Sequence, residues 1–189
     1  GVRIKETFDG KIENKENGYL LKLTPRESVI PTFLSINFDQ NFKLDKLNLS
    51  RTLYPETGNL NISKNNNYYQ WRADKFNLKN LELSILDNDY EWVEGEINGS
   101  GFISGDLTNF DGSISLKEGK YRNINFTESN IKFEQNGDNL NLETLFKTND
   151  GGKIEIIYKS DEYDFIKAKL NNVSSNWTAI TAFDLITFN

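Results

Sequence analysis

The sequence predicts an all-β protein built from an antiparallel sheet, and three observations support this. Apolar residues recur at every second position, as in Ile154, Ile156 and Tyr158, which is the period of a strand with one dry and one wet face. Short segments rich in Gly, Asn and Asp separate these stretches and are typical of turns. No convincing helical period of adequate length occurs before residue 174.

The second half of the chain carries the clearest alternation. Four segments there combine turn-forming residues and predict hairpin connections: residues 110–112, 118–119, 136–138 and 149–152. Between them, apolar side chains share one predicted face of consecutive strands, namely Ile114 with Leu116, Ile124 with Phe126, Ile131 with Phe133, Leu140 with Leu142, and Ile154 with Ile156 and Tyr158. We therefore expect one continuous apolar surface across these strands.

A glycine-rich strand precedes this region. Ile97, Ile103 and Leu107 share its apolar face with Gly99, Gly101 and Gly105, whereas Phe102 lies on the polar side. Glycine inside a strand marks a bend or a place where another group approaches the backbone closely. We interpret this face as one that leaves room beside its large side chains.

The first half predicts further strands. Two prolines in residues 25–31 predict a loop or an edge crossing, because proline cannot donate to a ladder. Residues 42–50 and 76–84 share the pattern Phe-x-Leu-x-x-Leu-x-Leu-Ser at an offset of 34 residues. The extra residue within each copy predicts a bulge or a corner, and the repetition favours stacked units in a longer repeat protein.

The last segment, residues 171–189, is ambiguous. Trp177, Ile180 and Phe183 lie three residues apart behind a Ser- and Asn-rich start, which favours a short terminal helix. Threonines and period-2 matches also allow a strand. We treat residues 1–189 as a single domain, with 95–170 as its most regular part.

Composition excludes several kinds of function. The chain of 189 residues has a formal net charge of -6 and no basic run, which argues against binding nucleic acid. It has neither His nor Cys, so the usual zinc sites and the His-dependent nucleophile systems are excluded. Acidic pairs such as Asp87 with Asp89 and Asp161 with Asp164 are interpreted as solvated turn residues. We therefore predict no catalytic residue, no metal and no cofactor.

The order of signals in residues 95–158 resembles repeats of the TamB and AsmA-like family, in particular cyanobacterial and plastid TamB-type proteins. The resemblance rests on Ile97-x-Gly-x-Gly, on Asp111-Gly-x-Ile-x-Leu followed by Gly119-x-Tyr-Arg, on Ile131-x-Phe133, on Asp138-x-Leu140-x-Leu142, and on Gly151-Gly-x-Ile-x-Ile156. It covers about a third of the chain well and has no catalytic signature. The chain also lacks a match to the extreme C-terminal segment of the family.

The resemblance implies an elongated antiparallel sheet curled into an open, taco-like groove, apolar inside and polar outside. It implies a segment of an envelope-spanning protein that conducts phospholipid acyl chains towards the outer membrane or assists outer-membrane protein assembly. The full-length protein would be anchored in the inner membrane, cross the periplasm or plastid intermembrane space, and contact an outer-membrane barrel protein through other parts of its chain. The expected groove-lining residues are Ile97, Ile103, Leu107, Ile114, Leu116, Ile124, Phe126, Ile131, Phe133, Leu140, Leu142, Ile154, Ile156 and Tyr158.

Two other interpretations stay open at the level of sequence. A β-sandwich or β-solenoid module of a surface adhesin would show the same alternation, because period 2 does not distinguish a closed core from an open groove. In such a module Tyr68, Tyr69, Trp71, Tyr90 and Trp92 could contact glycan. A glycosidase-type enzyme would need two carboxylates that converge in a cleft.

Overall fold

The computed structural model describes residues 2–4, 7–27, 29–83, 91–106, 108–121, 124–160 and 164–173. Within these residues the chain forms fourteen strands and no helix, which confirms the all-β prediction. The strands are β1 (Val2–Ile4), β2 (Phe8–Lys15), β3 (Gly18–Pro25), β4 (Thr32–Phe38), β5 (Leu44–Leu53), β6 (Glu56–Asn65), β7 (Tyr68–Asn77), β8 (Leu81–Leu83), β9 (Glu91–Ser104), β10 (Asn109–Tyr121), β11 (Ile124–Asn136), β12 (Asn139–Thr148), β13 (Lys153–Ser160) and β14 (Asp164–Asn171).

All of these strands belong to one antiparallel sheet. Twelve of them follow one another in the order β2-β3-β4-β5-β6-β7-β9-β10-β11-β12-β13-β14. The short β8 continues the line of β7 along β9, and β1 pairs with β8. The sheet is curled, as predicted. Within the described ranges β2 and β14 each have a single neighbour, so the sheet does not close.

The predicted turns are confirmed where the backbone needs a left-handed residue between two strands. Residues 136–138 and 149–152 connect β11 to β12 and β12 to β13, with Gly137 at φ 60° and Gly151 at φ 85°. The turns predicted at 110–112 and 118–119 are wrong, because both segments lie inside the long strand β10. Glycine is needed there for close packing rather than for a change of direction.

The loop predicted at residues 25–31 is confirmed in the described residues, since β3 ends at Pro25 and β4 begins at Thr32. Ile30 of this loop is 1% exposed, and the carbonyl of Pro31 accepts a hydrogen bond from the Thr52 amide at 3.0 Å. The loop is therefore packed against the sheet.

The two copies of the Phe-x-Leu-x-x-Leu pattern adopt different local structures. In the first copy the extra residue is a bulge at Asp45, between the pairs Asn37–Lys46 and Phe38–Leu44. In the second copy the chain turns a corner between β7 and β8, closed by a 2.9 Å hydrogen bond from the Leu81 amide to the Leu78 carbonyl. Phe42 lies exposed in a turn, whereas Phe76 is 3% exposed inside β7. The sequence predicted a bulge or a corner in each copy, and the structure has a bulge in the first and a corner in the second.

A line of bulges bends the sheet near one end of its strands. The register shifts at three places where a strand has one residue more than its partner. These are Lys75 of β7 and Glu118 of β10, both relative to β9, and Thr127 of β11 relative to β12. Lys75 and Glu118 have φ values of 47° and 49°. Because a bulge bends its strand and increases the local twist, we call these three positions the crease.

The buried core lies at the crease. Its members come from six strands and from the corner between β7 and β8, and the bend brings their side chains together: Leu49, Ala73, Phe76, Leu78, Leu81, Val93, Leu116 and Phe126. The closest packing is at Gly119, where a Cβ would lie 1.7 Å from the Phe126 ring. The ring of Phe126 therefore occupies the space that a side chain at position 119 would need.

A buried arginine holds the corner in place. Arg51 of β5 is 1% exposed and donates hydrogen bonds to the carbonyls of Asn77 at 2.9 Å and Lys79 at 2.7 Å. Its Nε also lies 3.3 Å from the hydroxyl of Thr32, which is fully buried. These bonds supply partners for carbonyls that leave the β ladder at the corner.

The turn between β9 and β10 is organised by Asp106. Its carboxylate accepts hydrogen bonds from the Ser104 hydroxyl and from the amide and hydroxyl of Thr108, at 3.1 Å and 2.8 Å for the latter two. The Ser104 bond, followed by those of Thr108, lowers the pKa of Asp106 to about 2. This aspartate therefore acts as a structural cap of the turn.

Several predictions fall on residues outside the described ranges. They are the turn at residues 87–89, Asp161 of the acidic pair formed with Asp164, and the helix or strand at 174–189. Of the terminal segment, Asn171 is described and ends β14.

Candidate functional site

The register of the sheet places apolar side chains in rows that run across the strands. The first row passes through all twelve strands of the main path, and each member is the Cα partner of the next: Ile12, Leu21, Ile36, Leu47, Ile62, Trp71, Gly101, Gly112, Phe133, Leu142, Tyr158 and Ile166. No charged side chain interrupts it.

A second row lies on the same face, and each of its members is two residues away from the first-row member of the same strand. It consists of Gly10, Leu23, Leu34, Leu49, Leu60, Ala73, Gly99, Ile114, Ile131, Thr144, Ile156 and Ala168. Its only polar member is Thr144. A shorter third row joins Ile97, Leu116, Ser129, Phe146, Ile154 and Leu170. We call the surface formed by these three rows the trough.

The opposite face of the sheet is polar. Between the first and second rows, each strand has one residue whose side chain points to the opposite face. These residues are Lys11, Lys22, Ser35, Asn48, Asn61, Arg72, Ser100, Ser113, Lys132, Glu143, Ile157 and Lys167. Only one of these residues is apolar. Asn48 and Asn61 form a direct side-chain hydrogen bond of 2.6 Å across β5 and β6. The two faces of the sheet thus differ sharply in polarity.

The trough is not covered by a second layer within the described residues, which form a single sheet. Ile114, Ile131, Phe133, Leu142 and Ile156 remain only half-buried even though they lie on the apolar face. In a β-sandwich the inner-face side chains of central strands would be sealed by the facing sheet. The sheet therefore presents a partly exposed apolar surface.

The groove-lining residues expected from the sequence divide into two groups. Leu116, Phe126 and Ile154 are 7%, 5% and 2% exposed, so they are buried and not open to a guest. The half-buried group consists of Ile97, Ile103, Ile114, Ile131, Phe133, Leu140, Leu142, Ile156 and Tyr158. Leu107 and the side chain of Ile124 lie outside what the structure describes.

The part of the trough that β2 to β7 provide was not predicted from the sequence. Leu21, Leu34, Leu47 and Leu60 carry the same rows through the first half of the chain. The alternation of Leu34, Ile36 and Phe38 was visible in the sequence, but register was needed to align it with the second half. The trough consequently crosses twelve strands, whereas residues 95–158 contribute only five of them.

The glycine strand does not leave free space where it crosses the first row. A Cβ at Gly101 would clash with the carbonyl oxygen of Asp111 and would lie 2.6 Å from Nε1 of Trp71. A Cβ at Gly112 would lie 2.5 Å from the Trp71 ring and 2.9 Å from Phe133. Trp71 and Phe133 stack with ring centroids 6.0 Å apart and an interplanar angle of 10°. The expectation of room is corrected here, because the chain's own aromatic rings lie over the two glycines.

The aromatics considered for glycan binding do not share one surface. Trp71 lies in the trough, and the hydroxyl of Tyr69, also on the trough face, donates to the Leu44 carbonyl at 3.0 Å. Tyr68 is on the polar face, where it meets Phe102 edge to face with centroids 5.4 Å apart. The side chains of residues 90 and 92 are outside the described set.

Several ion pairs join neighbouring strands in the described part of the chain. On the polar face, Lys147 binds Glu128 at 2.6 Å across β12 and β11 and lowers the pKa of that carboxyl. Among the described side chains no cluster of acidic residues is arranged to hold a metal ion. The described residues contain no helix that is long and apolar enough to cross a membrane.

Comparison of the chain with protein-family models, with curated proteins and with solved structures finds no match.

Proposed function

We propose that the trough binds the hydrocarbon chains of lipids and that this chain is one segment of a groove that conducts phospholipid between the inner and outer membranes. The observation that carries the proposal is the pair of apolar rows that cross twelve strands, most of whose members are only half-buried, above an opposite face that is polar. No catalytic role is part of the proposal. The TamB and AsmA-like resemblance supplies its setting in the periplasm or plastid intermembrane space, and its connection through other parts of the protein to a barrel protein.

The energetics favour an extended apolar guest. Each methylene group removed from water contributes about 0.8 kcal/mol, so a chain that lies along the rows gains free energy in proportion to its length. Neighbouring strands are about 4.8 Å apart, so twelve strands give a trough about 50 Å long. Because apolar side chains recur along both rows, a guest that moves along them exchanges one apolar contact for another. A low barrier to sliding follows from this repetition.

Co-purification is the first test of the proposal. Native mass spectrometry of the purified chain is expected to show bound phospholipid or detergent, since the half-exposed rows would otherwise face water. Apo protein that takes up no phospholipid when mixed with vesicles would contradict the proposal. Glycan binding by that apo protein would support the adhesin-type alternative.

Site-specific photocrosslinking provides a sharper test, because adjacent residues of one strand point to opposite faces. A photoreactive residue at Leu142 or Ile131 is expected to crosslink phospholipid. The same residue at Glu143 or Lys132, on the polar face, is the matched control and should crosslink little or none. Equal crosslinking from both faces would show that lipid association is nonspecific.

A transfer assay tests conduction rather than binding. In the full-length protein, Ile131→Asp and Leu142→Asp each place a carboxylate in the path of an acyl chain, and we expect a block in lipid transfer. Asn130→Asp, on the polar face of the same strand, is the control. Circular dichroism should show an intact sheet in all three variants. Normal lipid transfer by a folded Ile131→Asp variant would contradict the proposal.

A further inference from the structure

The two edges of the sheet differ from each other and carry exposed apolar side chains. At one edge, Ile12 of β2 is 70% exposed. At the other edge, Phe165, Ile166 and Leu170 of β14 are 50%, 52% and 41% exposed. In the described part of the chain neither strand has a second neighbour. An edge strand with unpaired backbone groups and apolar side chains is a template for a further strand.

The directions of the two edge strands are compatible. Every neighbouring pair along the main path is antiparallel, and the path contains twelve strands, so β2 and β14 run in opposite directions. A β2 strand placed against the free edge of β14 would therefore continue the antiparallel pattern of the sheet. The alternating hydrogen-bond geometry of an antiparallel ladder would be preserved.

One register joins all three rows of the trough across such a contact. Opposing Ile166 to Ile12 aligns the first row, and this places Ala168 opposite Gly10 in the second row. Leu170 then faces Phe8, which continues the third row. The side chain of Ile12 would be covered by Ile166, and each is the terminal member of the first row in its own sheet.

The polar face is also complementary in this register. Lys169 would lie opposite Asp9, and Lys167 would lie opposite Lys11 with Asp9 and Glu13 as its diagonal neighbours. Opposite charges on directly paired or diagonal positions stabilise a strand pair, and like charges directly opposite destabilise it. The single unfavourable pair, Lys167 with Lys11, is compensated because Lys11 is already 3.2 Å from Glu13.

We propose that β14 of one copy of this chain pairs with β2 of a second copy, in the register that opposes Ile166 to Ile12. The contact is heterologous, so each copy keeps one free edge and further copies add in a row. The trough continues across each junction and gains about 55 to 60 Å per copy from twelve further strands. This inference concerns association of the chain and does not depend on what the trough binds.

The test uses one variant for each edge. Ile166→Lys disables the β14 edge and Ile12→Lys disables the β2 edge, and both residues are more than half exposed, so the monomer fold should be retained. In analytical ultracentrifugation the unmodified chain should form oligomers whose size increases with concentration. Each variant alone should be a monomer. An equimolar mixture should form a heterodimer and nothing larger, because only one intact β14 and one intact β2 can meet.

Two results would overturn the inference. A chain that stays monomeric at its highest soluble concentration would show that the edges do not pair. A dimer of either single variant alone would show pairing of identical edges instead. Charge reversal gives an independent check: Lys169→Glu, which would lie opposite Asp9, should weaken association about threefold to tenfold, and Asp9→Lys in the partner copy should restore part of it. Thermal unfolding verifies that each variant is folded.

Discussion

Gly119 lies where the structure permits no side chain, and its replacement tests the packing at the crease. The three heavy atoms nearest to a Cβ at this position all belong to the ring of Phe126, at 1.7, 2.3 and 2.5 Å. Phe126 is 5% exposed and packs edge to face on Phe146 with centroids 5.8 Å apart. Because the ring is enclosed, it cannot move aside without opening the core.

The expected magnitude follows from two opposing effects. Forcing an extra methyl group into a filled core costs about 1 to 3 kcal/mol. Replacing Gly by Ala within a strand returns about 0.5 to 1 kcal/mol. We therefore expect Gly119→Ala to lower the free energy of unfolding by about 1 to 2 kcal/mol. In a Phe126→Leu background the obstructing ring is absent, and the same substitution should be neutral or slightly stabilising.

Urea unfolding followed by circular dichroism measures this coupling in a double-mutant cycle. The cycle compares the unmodified chain, Gly119→Ala, Phe126→Leu and the double variant. The interaction free energy between positions 119 and 126 should be about 1 to 3 kcal/mol. If Gly119→Ala costs the same in both backgrounds, the ring is not what excludes a side chain, and the account of the crease is wrong.

Three further predictions address the corner, the turn between β9 and β10, and the aromatic pair of the trough. Arg51→Met should lower the free energy of unfolding by about 2 to 4 kcal/mol, because two corner carbonyls lose a charged donor; the exposed control Arg72→Met should cost less than about 0.5 kcal/mol in the same urea experiment. The turn should loosen in acid: the pKa of Asp106 is about 2 in the folded chain against an ordinary 3.8, so its stabilisation is complete above about pH 4 and is lost as the pH falls towards 2. Amide exchange of the turn measured against pH checks this, and Asp106→Asn should remove the dependence. Trp71→Ala should uncover the glycines beneath it and deepen the trough, so phospholipid retained in native mass spectra should increase, whereas Phe102→Ala on the polar face should leave it unchanged.

The fold class could be predicted because period 2 is a local property of the sequence. Pairs such as Ile131 with Phe133 and Leu140 with Leu142 define the apolar face of their strands before any partner is known. The open curl came from the resemblance and from the glycine strand, and the structure confirms it. The lipid-binding role of these residues stays a prediction.

Glycine positions were harder to interpret, because the same residue serves two purposes. At Gly137 and Gly151 glycine provides a positive φ between strands, and these turns were predicted correctly. At Gly112 and Gly119 it accommodates a ring from a neighbouring strand, and a turn was predicted there instead. The rings come from Trp71, Phe133 and Phe126, so only the register of the sheet reveals why no side chain fits.

Arg51 could not be recognised as a structural residue from its sequence context. It lies among polar residues in Ser50-Arg51-Thr52, and its partners are backbone carbonyls 26 and 28 residues away. Backbone groups carry no residue-specific signal in a sequence. The corner that needs these hydrogen bonds is itself defined only when β7 and β8 both pair with β9.

The pairing of β1 with β8 has a consequence for the order in which the chain assembles. Along the main path nearly every strand pairs with its immediate successor, and such hairpins can form as soon as their residues are available. The contact between Val2 and Leu83 is different, because it closes a loop of about eighty residues. During synthesis β1 therefore has no partner until β8 has been made, after the six strands that lie between them in the chain. Among β1 to β8, the strand β1 is thus the last to join the sheet, although it precedes the other seven in the chain.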